Sequence, residues 1–128
     1  KHKMITKKYT LILGASPNPK KYGNMAALRL YFASKPFIPV GIKSGQIGGK
    51  NIEELSTLKK YDNIDTITLY LSPKNQSPYE DYILSIKPRR IIFNPGTENP
   101  KFMNRAQNEG IEVCKACTLV MLASNTYD

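Results

Sequence analysis

Five short apolar runs rich in β-forming residues recur along the chain: 9–14 (YTLILG), 37–42 (FIPVGI), 66–71 (TITLYL), 90–93 (RIIF) and 111–114 (IEVC). Most are continuously apolar rather than alternating, which marks strands covered on both faces. Their starts fall about 20–30 residues apart, the length of a strand–helix–strand unit. Pro39, inside the second run, conflicts with a regular strand because proline removes a ladder donor. The intervening stretches carry helix signals. Residues 24–33 place Met25, Leu28 and Phe32 on one face and stop before Pro36. Asn51-Ile52-Glu53-Glu54 predicts a capped start to a short helix through Leu58. At Ser77-Pro78-Tyr79-Glu80, Ser77 can cap, Pro78 suits the first helical position and Glu80 closes a capping box. That helix directs Tyr79, Ile83 and Ile86 inward and ends before Pro88. Asn99-Pro100 opens another, with Phe102, Met103 and Ala106 inward and Gly110 as its stop. Such alternation predicts an α/β sandwich around a parallel sheet with right-handed crossovers. Ligands of such sheets bind outside the carboxyl ends of the strands.

Composition narrows the class. With no repeat, linker or low-complexity segment, 128 residues fit a single domain spanning 1–128. At 41% hydrophobic and 23% charged residues, the chain reads as an ordinary globular protein. No apolar run approaches the roughly 18 residues of a membrane span. The basic start (Lys1-His2-Lys3-Met4, then Lys7-Lys8) lacks the apolar stretch and cleavage site of a secretory signal. Two cysteines without an export signal predict a reducing, cytoplasmic setting. The net charge of +9 predicts affinity for polyanions: nucleic acid, anionic lipid or a phosphorylated small molecule. The basic residues are scattered (Lys20-Lys21, Lys59-Lys60, Arg89-Arg90, Lys101), as on a solvated surface. No aromatic-rich RNA-binding strand or helix-turn-helix accompanies them, so a nucleic-acid partner is not expected. A homodimer is left open.

The loops after the strands carry the candidate chemistry. The first strand runs into Gly14-Ala15-Ser16-Pro17-Asn18-Pro19-Lys20-Lys21-Tyr22-Gly23-Asn24. Gly14 lets backbone approach a ligand, Ser16 offers a hydroxyl, and the helix starting near Asn24 presents free N–H groups to an anion. The loop is longer than G-x-G-x-x-G and is stiffened by prolines, so the dinucleotide fingerprint is missing. An ordinary strand-to-helix turn would explain it equally well. After the second strand stands Lys43, where an NAD site would place an acid for the ribose hydroxyl. A lysine there favours an extra ribose phosphate, as on NADP or coenzyme A, or is simply a surface lysine. Gly45, Gly48 and Gly49 follow in a loop able to fold over a ligand. The third strand ends at Ser72-Pro73 and the fourth at Asn94-Pro95-Gly96-Thr97-Glu98-Asn99. Capping and turn chemistry explains most of these residues. Their expected convergence with Gly14 and Lys43 adds a pocket wall.

These loops resemble those of small coenzyme A-binding domain proteins, whose Rossmann-like domain is shared with the succinyl-CoA synthetase α subunit. The resemblance rests on Leu13-Gly14-Ala15-Ser16-Pro17-Asn18-Pro19, Ile38-Pro39-Val40, the polar turn after the third strand, Pro95-Gly96-Thr97-Glu98-Asn99, and Glu109-Gly110-Ile111-Glu112-Val113 leading to Cys117. It spans about Lys8 to Leu122. It implies a three-layer α/β/α sandwich, a five-stranded parallel sheet in the order 3-2-1-4-5, and coenzyme A or acyl-CoA lying across the strand ends. Gly14, Ala15 and Ser16 would hold the phosphates, Lys43 the ribose phosphate, and Ser72 and Pro73 the adenine side. Tyr22-Gly23-Asn24 departs from the family pattern at the first helix start, and the tail 123–128 departs from the usual polar ending.

Little points to catalysis. The only histidine is His2, which leaves no conventional histidine triad or histidine-rich metal site. Cys114-Lys115-Ala116-Cys117 is a CxxC without a second pair to complete a zinc site. Packing is the simplest role for it, redox work the alternative. Asp62, Asp65, Asp81 and Glu98 show no paired spacing. The expectation is a non-enzymatic CoA-binding or CoA-sensing module, with an NADP- or other nucleotide-binding protein as the alternative.

Overall fold

Leu11, Ile12 and Leu13 are each fully buried, so the first apolar run is covered on both faces. It forms β1 (Tyr9–Leu13) at the centre of the computed structural model, which describes residues 7–128. Lys1, His2, Lys3 and Met4 lie outside the described residues. The other strands are β2 (Phe37–Gly41), β3 (Gln46–Ile47), β4 (Lys50–Asn51), β5 (Glu53–Glu54), β6 (Ile64–Leu69), β7 (Arg90–Phe93) and β8 (Glu112–Lys115). The helices are α1 (Tyr22–Phe32), α2 (Pro73–Gln76), α3 (Glu80–Ile86), α4 (Pro100–Asn108) and α5 (Thr118–Ala123).

The main sheet is wholly parallel in the order β5-β2-β1-β6-β7-β8, and β3 and β4 form a separate antiparallel hairpin. This is the Rossmann-like α/β architecture, with six strands rather than five. The sixth is β5, in the segment read as a helix from Asn51. Val40 and Gly41 pair with Glu53 and Glu54 there, so tertiary pairing overrides the local capping signal. One 3-10 turn, Leu55–Thr57, completes the segment before Leu58 turns left-handed at φ 49°. The five runs read from the sequence stand in the order 2-1-3-4-5 rather than 3-2-1-4-5: the third run, in β6, pairs with β1, and the edge beyond β2 is taken by β5. Pro39 is explained by the same edge. The carbonyls of Pro36 and Val40 accept from Thr10 and Gly14, so these alternate residues face β1. Pro39 therefore faces the other side, where β5 pairs only with Val40 and Gly41.

The faces of the sheet differ. Leu11, Leu13, Ile67, Leu69, Ile91 and Phe93 pack with Ile83 and Ile86 of α3 and Phe102 and Ala106 of α4. Phe93 and Phe102 meet edge to face, centroids 5.8 Å apart. On the opposite face Ile12 and Ile92 meet Ala27 and Leu30 of α1, with α5 alongside α1. Buried polar residues cross this second face. Arg90 is only 6% exposed; it donates to Thr66 Oγ1 at 2.8 Å and to the Tyr127 carbonyl at 2.6 Å, and stacks over the Tyr127 ring. The Tyr127 hydroxyl meets Thr10 Oγ1 at 2.5 Å.

Two helices depart from the sequence pattern. The inward face of α1 is Gly23, Ala26, Ala27 and Leu30, while Phe32 is 75% exposed. Small side chains let α1 lie close to the sheet; of the larger stripe, Met25 and Leu28 are half-buried, Leu28 packing at the edge of the core, and only Phe32 turns outward. The capping serine before α3 is Ser72 rather than Ser77: its Oγ accepts from Asn75 N, with Pro73 at the first position of α2. Ser77–Tyr79 is a 3-10 turn linking α2 to α3.

Candidate functional site

Three glycines bring the end of β1, the end of β2 and the start of α1 into backbone contact. Gly14 has φ +101°, and a Cβ there would stand 2.7 Å from the Tyr70 carbonyl oxygen. A Cβ on Gly41 would stand 2.1 Å from the Ala15 oxygen, and one on Gly23 2.6 Å from the Gly14 oxygen. None of these can carry a side chain without moving main chain. The N–H groups of Gly14 and Ala15 both donate to the Val40 carbonyl, at 2.9 and 3.0 Å, pinning the turn to β2. The rest of the loop bonds to itself. Ser16 Oγ accepts from Asn18 N, Asn18 Oδ1 accepts from Lys20 N, and Asn24 Nδ2 donates to the Ser16 carbonyl at 2.8 Å. Tyr22 and Gly23 open α1, so their N–H groups have no intrahelical acceptor. The result is a rigid turn with donors at its mouth.

A cleft of about 740 Å³ opens at this carboxyl rim. Of the residues singled out from the sequence, Gly14, Ala15, Ser16, Lys43, Ser72, Gly96 and Thr97 line it. Asn24 and Pro73 do not. Asn24 is 4% exposed and braces the turn from behind, and its Oδ1 has no partner among the described residues. Pro73 starts α2. The loop with Gly45, Gly48 and Gly49 does not close over the cleft. It carries the β3–β4 hairpin, anchored by buried Ile47 and Ile52 beside Pro17 and Tyr31.

Lys21 and Lys43 line the cleft and have no ion pair among the described residues. Opposite them, fully buried Gln76 ties two strand-end loops together. Its Nε2 donates to the Leu71 and Thr97 carbonyls at 2.8 and 2.7 Å, and its Oε1 accepts from Asn99 Nδ2. Glu98 accepts from Gly96 N, and Thr97 Oγ1 donates to the Asn94 carbonyl. Sequence reasoning missed Tyr22, Gly41, Ile42, Leu55, Tyr70, Asn75 and Tyr79 on the lining. Gly41 was findable as a glycine two residues before Lys43. Leu55 was not, because it arrives with the unforeseen strand β5. The Tyr70 phenol is pushed up to about 12, chiefly by burial. Among the described residues no cluster of His, Cys, Asp or Glu could hold a metal, and no helix is long and apolar enough to cross a membrane.

Residues 8–123 match the family model described as the CoA binding domain. The chain belongs to that family. Among solved structures, this CoA binding domain is similar to a crystal structure of an uncharacterized protein at 46% identity and TM-score 0.89, covering 94% of this chain and 98% of the other. A conserved hypothetical protein from Pyrococcus furiosus matches at 25% identity and TM-score 0.75, covering 89% and 97%. A hypothetical protein from Pyrococcus horikoshii shares the fold at 23% identity and TM-score 0.78, covering 96% and 85%. No curated protein matches the chain.

Proposed function

We propose that this CoA binding domain is a non-enzymatic module that holds coenzyme A or an acyl-CoA across the carboxyl ends of its sheet. The observation that carries this reading is the meeting of the Gly14–Ser16 turn, the first N–H groups of α1, Lys21 and Lys43 in one cleft. Backbone donors at a helix start suit a pyrophosphate. Lysine ammonium groups suit the remaining phosphate charge. The family assignment supports the same ligand. Among the described residues the lining is made of main chain, hydroxyls, the Asn75 carboxamide, two lysines and apolar side chains, and we read it as a site for binding or sensing. Calorimetric titration with CoA, acetyl-CoA, NADP and ATP tests this. Saturable heat with CoA and acetyl-CoA is expected. NADP binding without CoA binding would transfer the site to the alternative nucleotide.

A further inference from the structure

The cleft runs across the tips of neighbouring strands. In sheet order, Leu55 follows β5, Lys43 follows β2, the Gly14 turn follows β1, Ser72 follows β6 and Thr97 follows β7. Among the described residues none that follows β8 lines it. Parallel strands lie about 4.8 Å apart, so about 10 Å of rim extends to each side of the Gly14 turn. The two sides differ in what they offer. Toward β5, Ile42 is 76% exposed beside Lys43, and Leu55 shares one apolar cluster with Leu71 and Tyr79, which also line the cleft. Apolar walls next to a lysine without an ion pair suit a purine whose ribose carries a phosphate. Toward β7 the polar atoms are already engaged. Gly96 N donates to Glu98, the Thr97 N–H and hydroxyl both donate to the Asn94 carbonyl, and the Thr97 carbonyl accepts from Gln76. A Cβ on Gly96 would meet nothing within 4 Å, so the wall is open there.

We propose that the module reads only the nucleotide half of CoA and leaves the thiol end outside the cleft, so that it binds free and acylated CoA alike. This rests on the CoA reading of the cleft. With the pyrophosphate on the Gly14 turn and the ribose phosphate on Lys43, the adenosine lies toward β5, because base and phosphate share one ribose. The pantetheine arm therefore leaves toward β7. Its roughly dozen bonds from phosphate oxygen to sulfur span about 14 Å when extended, at about 3.5 Å for every three backbone bonds. The rim on that side supplies only about 10 Å. The sulfur, and any acyl group on it, then stands past the β7 tip, where the lining has ended. The engaged polar atoms of Gly96 and Thr97 offer the arm little to hold it back. Affinity is thus set on the β5 side of the turn.

The test titrates the whole chain with CoA, acetyl-CoA, octanoyl-CoA, adenosine 3′,5′-bisphosphate and 4′-phosphopantetheine in a calorimeter. The three CoA species are expected to agree in Kd within about threefold. The bisphosphate should bind within about tenfold of CoA, and 4′-phosphopantetheine at least about a hundredfold more weakly than CoA. Ile42→Ala trims an exposed side chain and should weaken CoA and the bisphosphate by the same factor, at least about threefold. A gap beyond about tenfold between octanoyl-CoA and CoA would overturn the proposal. So would 4′-phosphopantetheine binding as tightly as the bisphosphate, or affinities that Ile42→Ala does not move. If any of these appears while CoA itself binds, the nucleotide-only reading fails and the cleft assignment stands. If neither CoA nor the bisphosphate binds, both fall.

Discussion

The two ends of the sheet use charge in opposite ways. At the carboxyl rim Lys21 and Lys43 face an open cleft with no acid paired to them among the described residues. At the amino end Arg89 holds Asp65 by two hydrogen bonds of 2.7 and 3.0 Å and reaches Glu112 at 3.3 Å. Lys7 nearby donates to the Lys87 carbonyl. At the amino end the acids Asp65 and Glu112 are held by Arg89, whereas the carboxyl rim presents its two lysines without an acid among the described residues. Unpartnered positive charge beside a packed glycine turn gains nothing for the folded chain by itself, so the contrast locates where an anion would be accommodated.

Breaking the rim should have the largest effect. Gly41→Ala drives a methyl into the Ala15 carbonyl and must separate the turn from β2. We expect about 1–3 kcal/mol of destabilisation in urea denaturation and a loss of CoA affinity beyond roughly tenfold by calorimetry. Unchanged affinity would show that the turn is not part of the site. Lys43→Ala comes next. It should weaken CoA by roughly tenfold, about 1.4 kcal/mol, and leave dephospho-CoA almost unaffected, since only CoA carries the ribose phosphate. Equal losses for both ligands would remove Lys43 from that role. The amino end should respond least. Arg89→Ala is expected to cost about 1 kcal/mol or less and to leave CoA binding intact.

The amino end also has a pH signature. The Arg89 hydrogen bonds hold the Asp65 carboxyl below its usual value, against a smaller opposing effect of burial. An acid depressed in the folded state stabilises the fold above its unfolded value, roughly 3.9. That contribution disappears as pH falls through the lower folded value. Asp65→Asn should therefore flatten the loss of stability below about pH 4 in urea midpoints taken across the acid range. An unaltered acid profile would assign the effect to other carboxyls.

The central fold was legible because buried parallel strands are written as short runs rich in β-formers. The runs read at 9–14, 66–71 and 90–93 fall on β1, β6 and β7, although β6 begins two residues earlier, at Ile64, and ends at Leu69. β5 was illegible because two residues carry no periodicity; Glu53 and Glu54 are strand only because β2 lies beside them. The facing of α1 was misread for a related reason. Hydrophobic size normally marks the inward stripe, but here closeness to the Gly14 carbonyl demands Gly23, and the buried face continues with Ala26, Ala27 and Leu30. At the site, residues recruited by their turn chemistry were visible, as with Gly14, Ser16 and Thr97. Those recruited by distance across the fold, such as Gln76 and Leu55, left no local trace.

Arg90 shapes how the chain tolerates trimming. Its guanidinium is sealed against Thr66 and the carbonyl and ring of Tyr127, a residue beyond the last helix and outside the matched family span. A shortened form ending before Tyr127 would strip a cation in the protein interior of its stopper and let water reach the underside of the sheet. The final few residues thus serve as a bung for the domain rather than as a dispensable appendage.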